Sequence, residues 1–214
     1  MLEITLTQPL VIYRNLHIER HQQSMQNTGD AWQGTVTTYV TQFSDFIFEQ
    51  GNGAEEDALP VFQFQQDNAL FIGIDLELSA QLSTWERGSL SARLLADYVD
   101  AELDVRGNDN VPRIPPLRYG LGFDFTSGVF SASLDYLRVA EQDDVAQQEL
   151  VTDAYNDLRA QIAATFPFGT ESTLSVFVSG RNLTDDEQRR HTSFIKDFAP
   201  APGRAVEAGV RLLF

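Results

Sequence analysis

The stretch GRAVEAGVRLLF, residues 203–214, ends the chain on a phenylalanine. Taken alternately, Val206, Ala208, Val210, Leu212 and Phe214 form one apolar face, while Glu207, Gly209 and Arg211 form the other. Successive side chains of a β-strand point to opposite faces, so this period of two marks a two-faced strand that runs to the last residue. Ala205 and Leu213 are small or apolar exceptions on the polar side. Termini of soluble domains are commonly polar and loose. This one calls for its last residue to be placed against an apolar medium.

The same alternation recurs upstream. Ile72, Ile74, Leu76, Leu78, Ala80 and Leu82 alternate with Gly73, Asp75, Glu77, Ser79 and Gln81. Tyr119, Leu121, Phe123 and Phe125 alternate with Arg118, Gly120, Gly122 and Asp124, and comparable runs cover 90–98, 130–136, 158–166 and 174–178. Repeated period two predicts strands rather than helices, about nine of them from residue 15 onward, with an earlier one at Leu2 to Thr7. The first two, near 15–25 and 32–48, alternate less cleanly. In the stretch 145–164 the first half has helical propensity, but strand is the stronger reading.

The connections alternate as well. Short ones fall at 26–31, 84–88, 126–128 and 168–172; long ones fall at 49–60, 104–116, 140–150 and 184–203. Tight turns at one end and long loops at the other are the pattern of outer-membrane barrels. Strand stretches of 10–13 residues exceed the soluble mode of about 5–6 and match the roughly 9–11 that cross a bilayer at a tilt. Aromatic residues near strand ends (Tyr98, Tyr119, Phe125, Phe130, Tyr136, Phe166, Phe168) suit interfacial girdles. The expected fold is all-β: an antiparallel up-and-down transmembrane β-barrel segment of about 9–10 strands, one domain over 1–214.

Composition removes other classes. The net charge of −16 argues against nucleic acid, whose phosphates call for clustered cations. With no cysteine, disulfide frameworks and thiolate metal sites are excluded. No run of about 18 apolar residues is present, and the start MLEITLTQPLV lacks the basic and apolar regions of a signal peptide. No G-x-S-x-G, H-E-x-x-H or P-loop occurs, so no enzyme and no cofactor is expected.

The segment VFVSGRNLTDDEQRRHTSFIKDFAPAPGRAVEAGVRLLF resembles the end of a TonB-dependent outer-membrane receptor. That family closes with an N-L-x-D turn, a long loop reaching P-x-P-G-R and a final strand ending in Phe. Here these are Asn182, Leu183 and Asp185, then Pro202, Gly203 and Arg204, then Phe214. LPVFQFQQDNALFIGIDLELS resembles another strand entry of the family, with Asp75 where Glu is usual, and DFIFE at 45–49 resembles a strand end before an external loop. HTSFIKDFAPAPGR is similar to the zinc- and haem-associated branch. The resemblance implies a Gram-negative outer-membrane location and uptake of a scarce nutrient such as a metal chelate, haem or zinc. It implies as partners the outer-membrane lipid, the barrel assembly machinery, a plug domain, TonB and a small nutrient ligand. The terminal motif Val206, Ala208, Val210, Leu212 and Phe214 resembles the signal that the assembly machinery reads. No plug is recognisable in this sequence, so the expectation is the C-terminal portion of a larger barrel. An autonomous barrel of about ten strands, acting as pore or adhesin, and a soluble β carrier remain the alternatives.

Among candidate site residues, His191 stands in the longest loop near Asp185, Asp186, Glu187 and Asp197. Metal capture there is one reading; an exposed loop histidine is the plainer one. His17 and His21 are four apart, which on a strand only puts them on one face. Asp75, Glu77, Arg93, Asp97, Arg118, Asp124, Asp135, Arg159 and Arg211 are expected to line a lumen.

Overall fold

The structure, a computed structural model, describes residues 2–7, 11–13, 16–28, 31–57, 59–169 and 171–214, with side chains at 22–26, 31–57, 61–167 and 171–214. His17 and His21 fall on a described strand, but their side chains lie outside the described set.

Among the described residues, eleven strands form one antiparallel sheet: β1 (Leu2–Thr7), β2 (Val11–Tyr13), β3 (Leu16–Thr28), β4 (Trp32–Glu56), β5 (Leu59–Trp85), β6 (Gly88–Leu103), β7 (Arg118–Ser127), β8 (Phe130–Val139), β9 (Tyr155–Phe168), β10 (Ser172–Arg181) and β11 (Ala205–Leu213). From β3 onward each strand pairs with the next in sequence; β1 and β2 both pair with β3. The expected meander is therefore present, with β2 as an addition. The 145–154 stretch contains no helix.

The register explains why the alternation in sequence matters. One row across six strands reads Leu90–Phe125–Ala132–Ile162–Val178–Ala208, wholly apolar. The adjacent row reads Ser91–Asp124–Ser133–Gln161–Ser179–Glu207, wholly polar. A slip of one residue at any pair would move an entire strand's apolar set to the wrong face, so the two-faced pattern fixes the pairing.

The apolar face is uncovered. Ile162 is 64% exposed, Val210 68% and Phe130 57%. The accessible surface totals 14589 Å², whereas a compact soluble chain of 24.0 kDa exposes roughly 10,000 Å². Such a surface is stable only against an apolar medium. Trp32 and Trp85 join this face at the short-turn end: Trp32 pairs with Ala80, and an irregularity between Gln81 and Ser83 shifts β5 so that Trp85 packs on Phe125, ring centroids 5.6 Å apart.

The polar face carries every charge assigned to it by the alternation. Arg93 bridges Asp124 and Asp135, each at 2.9 Å, and Arg118 pairs with Asp97 at 2.8 Å. Arg93 reaches Asp135 by crossing β7 at Gly122. A Cβ there would stand 2.7 Å from the Asp135 carboxylate and 3.0 Å from the guanidinium, so glycine keeps the crossing open.

The long-loop end differs from expectation at one point. Residues 49–60 are not a loop, because β4 and β5 continue as a paired ribbon to Glu56 and Leu59. A bulge between Phe43 and Phe46, with Asp45 at φ 59°, gathers Phe43, Phe46 and Phe71 at centroid distances of 5.1–5.4 Å. Aspartate tolerates the left-handed region better than most residues. Against these rings lie Phe48, Ala69, Ala101 and Leu103, and the segment 104–117 folds back to add Val105, Val111 and Ile114. This small core sits beside the loops; the middle of the sheet has none.

Candidate functional site: the loop end of the sheet

The 182–204 segment is pinned at its base by the motif residues noted in the sequence. Asn182 is 3% exposed at φ 47°. Its amide nitrogen donates to Asp186 O (3.0 Å) and Pro202 O (3.4 Å), and its Oδ1 accepts from the Asp186 amide (3.2 Å). The Asp185 carboxylate accepts from Arg204 N at 3.0 Å and from its guanidinium at 2.8 Å. Those bonds from Arg204 hold the Asp185 carboxyl below its usual range. Leu183 N donates to Leu158 O at 2.9 Å, tying the segment to β9 beyond the end of β10. Asn182, Leu183, Asp185, Pro202, Gly203 and Arg204 thus meet as one clamp across the two ends of the loop.

Above the clamp lies a second, deeper cluster. The side chains of His191, Lys196 and Glu149 are 1%, 5% and 10% exposed. The expectation of an exposed loop histidine is overturned: His191 is among the most buried polar residues. His191 Nε2 lies 3.0 Å from Glu149 Oε1, and its Nδ1 lies 2.9 Å from Thr152 Oγ1. A proton on Nε2 lets the ring donate to the Glu149 carboxylate. Lys196 Nζ stands 2.8 Å from Glu149 Oε1 and 3.2 Å from each ring nitrogen, so the ammonium lies against the imidazole.

Glu149 is also the anchor for a third loop. Its carboxylate accepts from Arg113 N (3.1 Å) and Ala146 N (3.2 Å). The Arg113 guanidinium pairs with Glu49 on β4 and lies 3.8 Å over the Phe194 ring. Four chain segments, around Glu49, Arg113, Glu149–Thr152 and His191–Lys196, therefore converge on one polar knot. Burial pushes the Glu149 carboxyl up, but the bonds from His191, Lys196 and Ala146 and the charge of Lys196 outweigh this and hold it at about 2.

Sequence reading did not single out Glu149, Thr152, Arg113 or Lys196. One signal was available: Lys196 is the sole lysine among fifteen cations. A compact ammonium with three donors fits a knot of several acceptors where a planar guanidinium does not. Among the described residues, no group of three or more His, Asp or Glu side chains is arranged to hold a metal ion.

Residues 25–183 match the family described as TonB dependent receptor-like, beta-barrel. The chain belongs to that family. Among solved structures, this receptor-family sheet is similar to one described as "Copper transporter OprC", with a TM-score of 0.73 and 23% identity. The likeness covers 91% of this chain and 32% of that one, so the chain spans about a third of that protein's length. At this identity the similarity speaks for the fold. No curated protein matches the sequence.

Two expectations follow for these loops. Asn182→Ala removes a buried amide and places alanine in the left-handed region, a loss of about 2 kcal/mol at the clamp. Hydrogen exchange at the Asp186 and Arg204 amides should accelerate by roughly 30-fold. The second concerns pH. The Glu149 carboxyl lies below its ordinary value of 4.5 when folded, so its stabilisation is complete above that value and is lost as pH falls towards about 2. Exchange across 182–204, corrected for intrinsic rates, should stay flat from pH 8 to 5 and rise steeply below 4. The full change amounts to about 3 kcal/mol.

Proposed function

We propose that the chain is a barrel segment of an outer-membrane receptor that takes up a scarce, metal-bearing nutrient in a TonB-dependent manner. The observation that carries this reading is the single-layer sheet with one uncovered apolar face, one ion-paired polar face, turns at one end and long loops at the other. The apolar face meets lipid, the polar face lines the lumen, the turn end faces the periplasm and the loop end faces outward. Within the whole receptor, the partners are a plug domain seated against the polar face, TonB, and the barrel assembly machinery acting on the strand that carries Val206, Ala208, Val210, Leu212 and Phe214.

The acidic balance of the chain, with EED at 55–57 and DD at 143–144 in the outward segments, supports a cationic or metal-bearing cargo over an anionic one. A metal chelate, haem and zinc all fit that description. The test is uptake of labelled zinc, copper and haem by cells with and without the gene, repeated after disruption of TonB. For one of these nutrients, loss of the gene should lower uptake when TonB is intact and lower it no further once TonB is disrupted. Unchanged uptake of all three would remove the reading.

His191 bears on the choice of cargo through a separate measurement. Metal binding at its ring would have to displace Lys196, whose ammonium already occupies the cation position beside Glu149. Zinc titration should therefore return equal affinities for the wild type and His191→Ala. A weaker variant would restore a direct metal role for His191.

A further inference from the structure

The apolar face has a polar row at its outward limit. Tyr119, Arg138 and Asn156 pair in register on β7, β8 and β9, immediately beyond the row Leu121–Tyr136–Leu158. Among strand arginines with described side chains, Arg93, Arg118, Arg159, Arg181 and Arg211 share the polar face by register, and Arg138 alone stands on the apolar one.

The surroundings of Arg138 are held in place but leave it unsatisfied. Its guanidinium donates to Asn156 Oδ1 at 3.2 Å, and the Tyr136 hydroxyl donates to the same oxygen at 2.7 Å. Asn156 is fixed from behind, because its backbone and side-chain nitrogens both donate to Asp186 Oδ2 at 2.8 Å. Among the described residues no carboxylate forms an ion pair with Arg138; Asp186 feels its charge from behind Asn156 but is bonded to Asn156, so most of the five guanidinium donors are uncommitted. A charge facing lipid is costly at the middle of a bilayer and tolerated only at the interface, where tyrosine rings also gather.

We propose that Arg138, flanked by Tyr119, Tyr136 and Asn156, binds the phosphate of an anionic lipid headgroup in the outward leaflet. The proposal rests on the membrane reading of the apolar face. A guanidinium matches two phosphate oxygens at once, and the tyrosine rings flank the headgroup level. The chain's net charge of −16 repels free anions in general. The rim arginine is thus a local exception that a lipid phosphate can reach from within the bilayer.

The test uses the whole chain in maltoside micelles, with ligand retention read by native mass spectrometry. Short-chain phosphatidylglycerol should bind about fivefold more tightly than short-chain phosphatidylcholine, as expected for one interfacial cation. Arg138→Gln should abolish that preference and Arg138→Lys should keep most of it. Inorganic phosphate at millimolar concentration should not compete; displacement of the lipid by it would make this a free-phosphate site and overturn the lipid assignment. Equal preference in the wild type and Arg138→Gln would overturn the proposal alone. Quenching of Trp32 and Trp85 by lipids brominated in the acyl chains reports the membrane face independently of Arg138. If quenching is absent, the membrane reading falls and the proposal falls with it.

Discussion

Replacing Glu149 by alanine is expected to release the 182–204 loop while leaving the sheet folded. The substitution strips Lys196 of its carboxylate, His191 of its acceptor, and the Arg113 and Ala146 amides of theirs, all at a site where the side chains involved are nearly inaccessible. Removing one member of a buried ion pair costs about 3–5 kcal/mol, because the remaining charge has no water to turn to. The loss is local, since the network joins loops and the rows of the sheet are paired independently of it. Tryptic cleavage after Lys196, which is 4% exposed in the intact loop, should accelerate by roughly 100-fold or more. The double variant Glu149→Leu with Lys196→Met removes both charges. Its loop should resist chymotrypsin far better than that of Glu149→Ala. Cleavage after Lys196 at the wild-type rate in Glu149→Ala would mean that the knot does not hold the loop.

That knot marks the limit of what the linear sequence discloses. The sheet was legible because each strand carries its own instruction: Ile72, Ile74 and Leu76 alternate with Gly73, Asp75 and Glu77, and period two needs no knowledge of the partner strand. The clamp was legible through Asn182 to Asp185 and Pro202 to Arg204, which lie at the two ends of one loop. Glu149, Arg113 and Lys196 sit in three different loops, so their meeting depends on how the loops fold back over the sheet. No local periodicity encodes that. The β4–β5 ribbon carries the composition of a loop for a related reason. Residues 51–57, GNGAEED, have turn composition, yet β4 pairing with β5 continues past a second irregularity between Gly51 and Glu55. Pairing of Gly51 with Phe62, Glu55 with Pro60 and Glu56 with Leu59, and the Gln148 side chain lying over Gly51, carry the ribbon against weak strand propensity there. His191 was visible as a residue, but its burial was not, because a loop histidine carries no signal of the carboxylate that will cover it.

The sharpest test of the apolar face compares two adjacent residues of β9. Ile162 is 64% exposed in the row Phe125–Ala132–Ile162–Val178, and Gln161 is next to it in the row Asp124–Ser133–Gln161–Ser179. If the apolar face meets lipid, Ile162→Arg places a charge near the bilayer midplane, at a cost of about 2–4 kcal/mol. Gln161→Arg adds the same side chain to a wet wall that already holds Asp124, Arg159 and Glu207, and should change stability by less than about 0.5 kcal/mol. Both variants carry arginine on one strand, so strand propensity and net charge cancel in the comparison. Urea unfolding of the whole chain from phospholipid vesicles supplies the two numbers. A soluble sheet would reverse the order or erase it, because an isoleucine that exposed to water is improved by a charge. Equal stabilities would therefore leave the uncovered face without its lipid, and the outer-membrane reading with it.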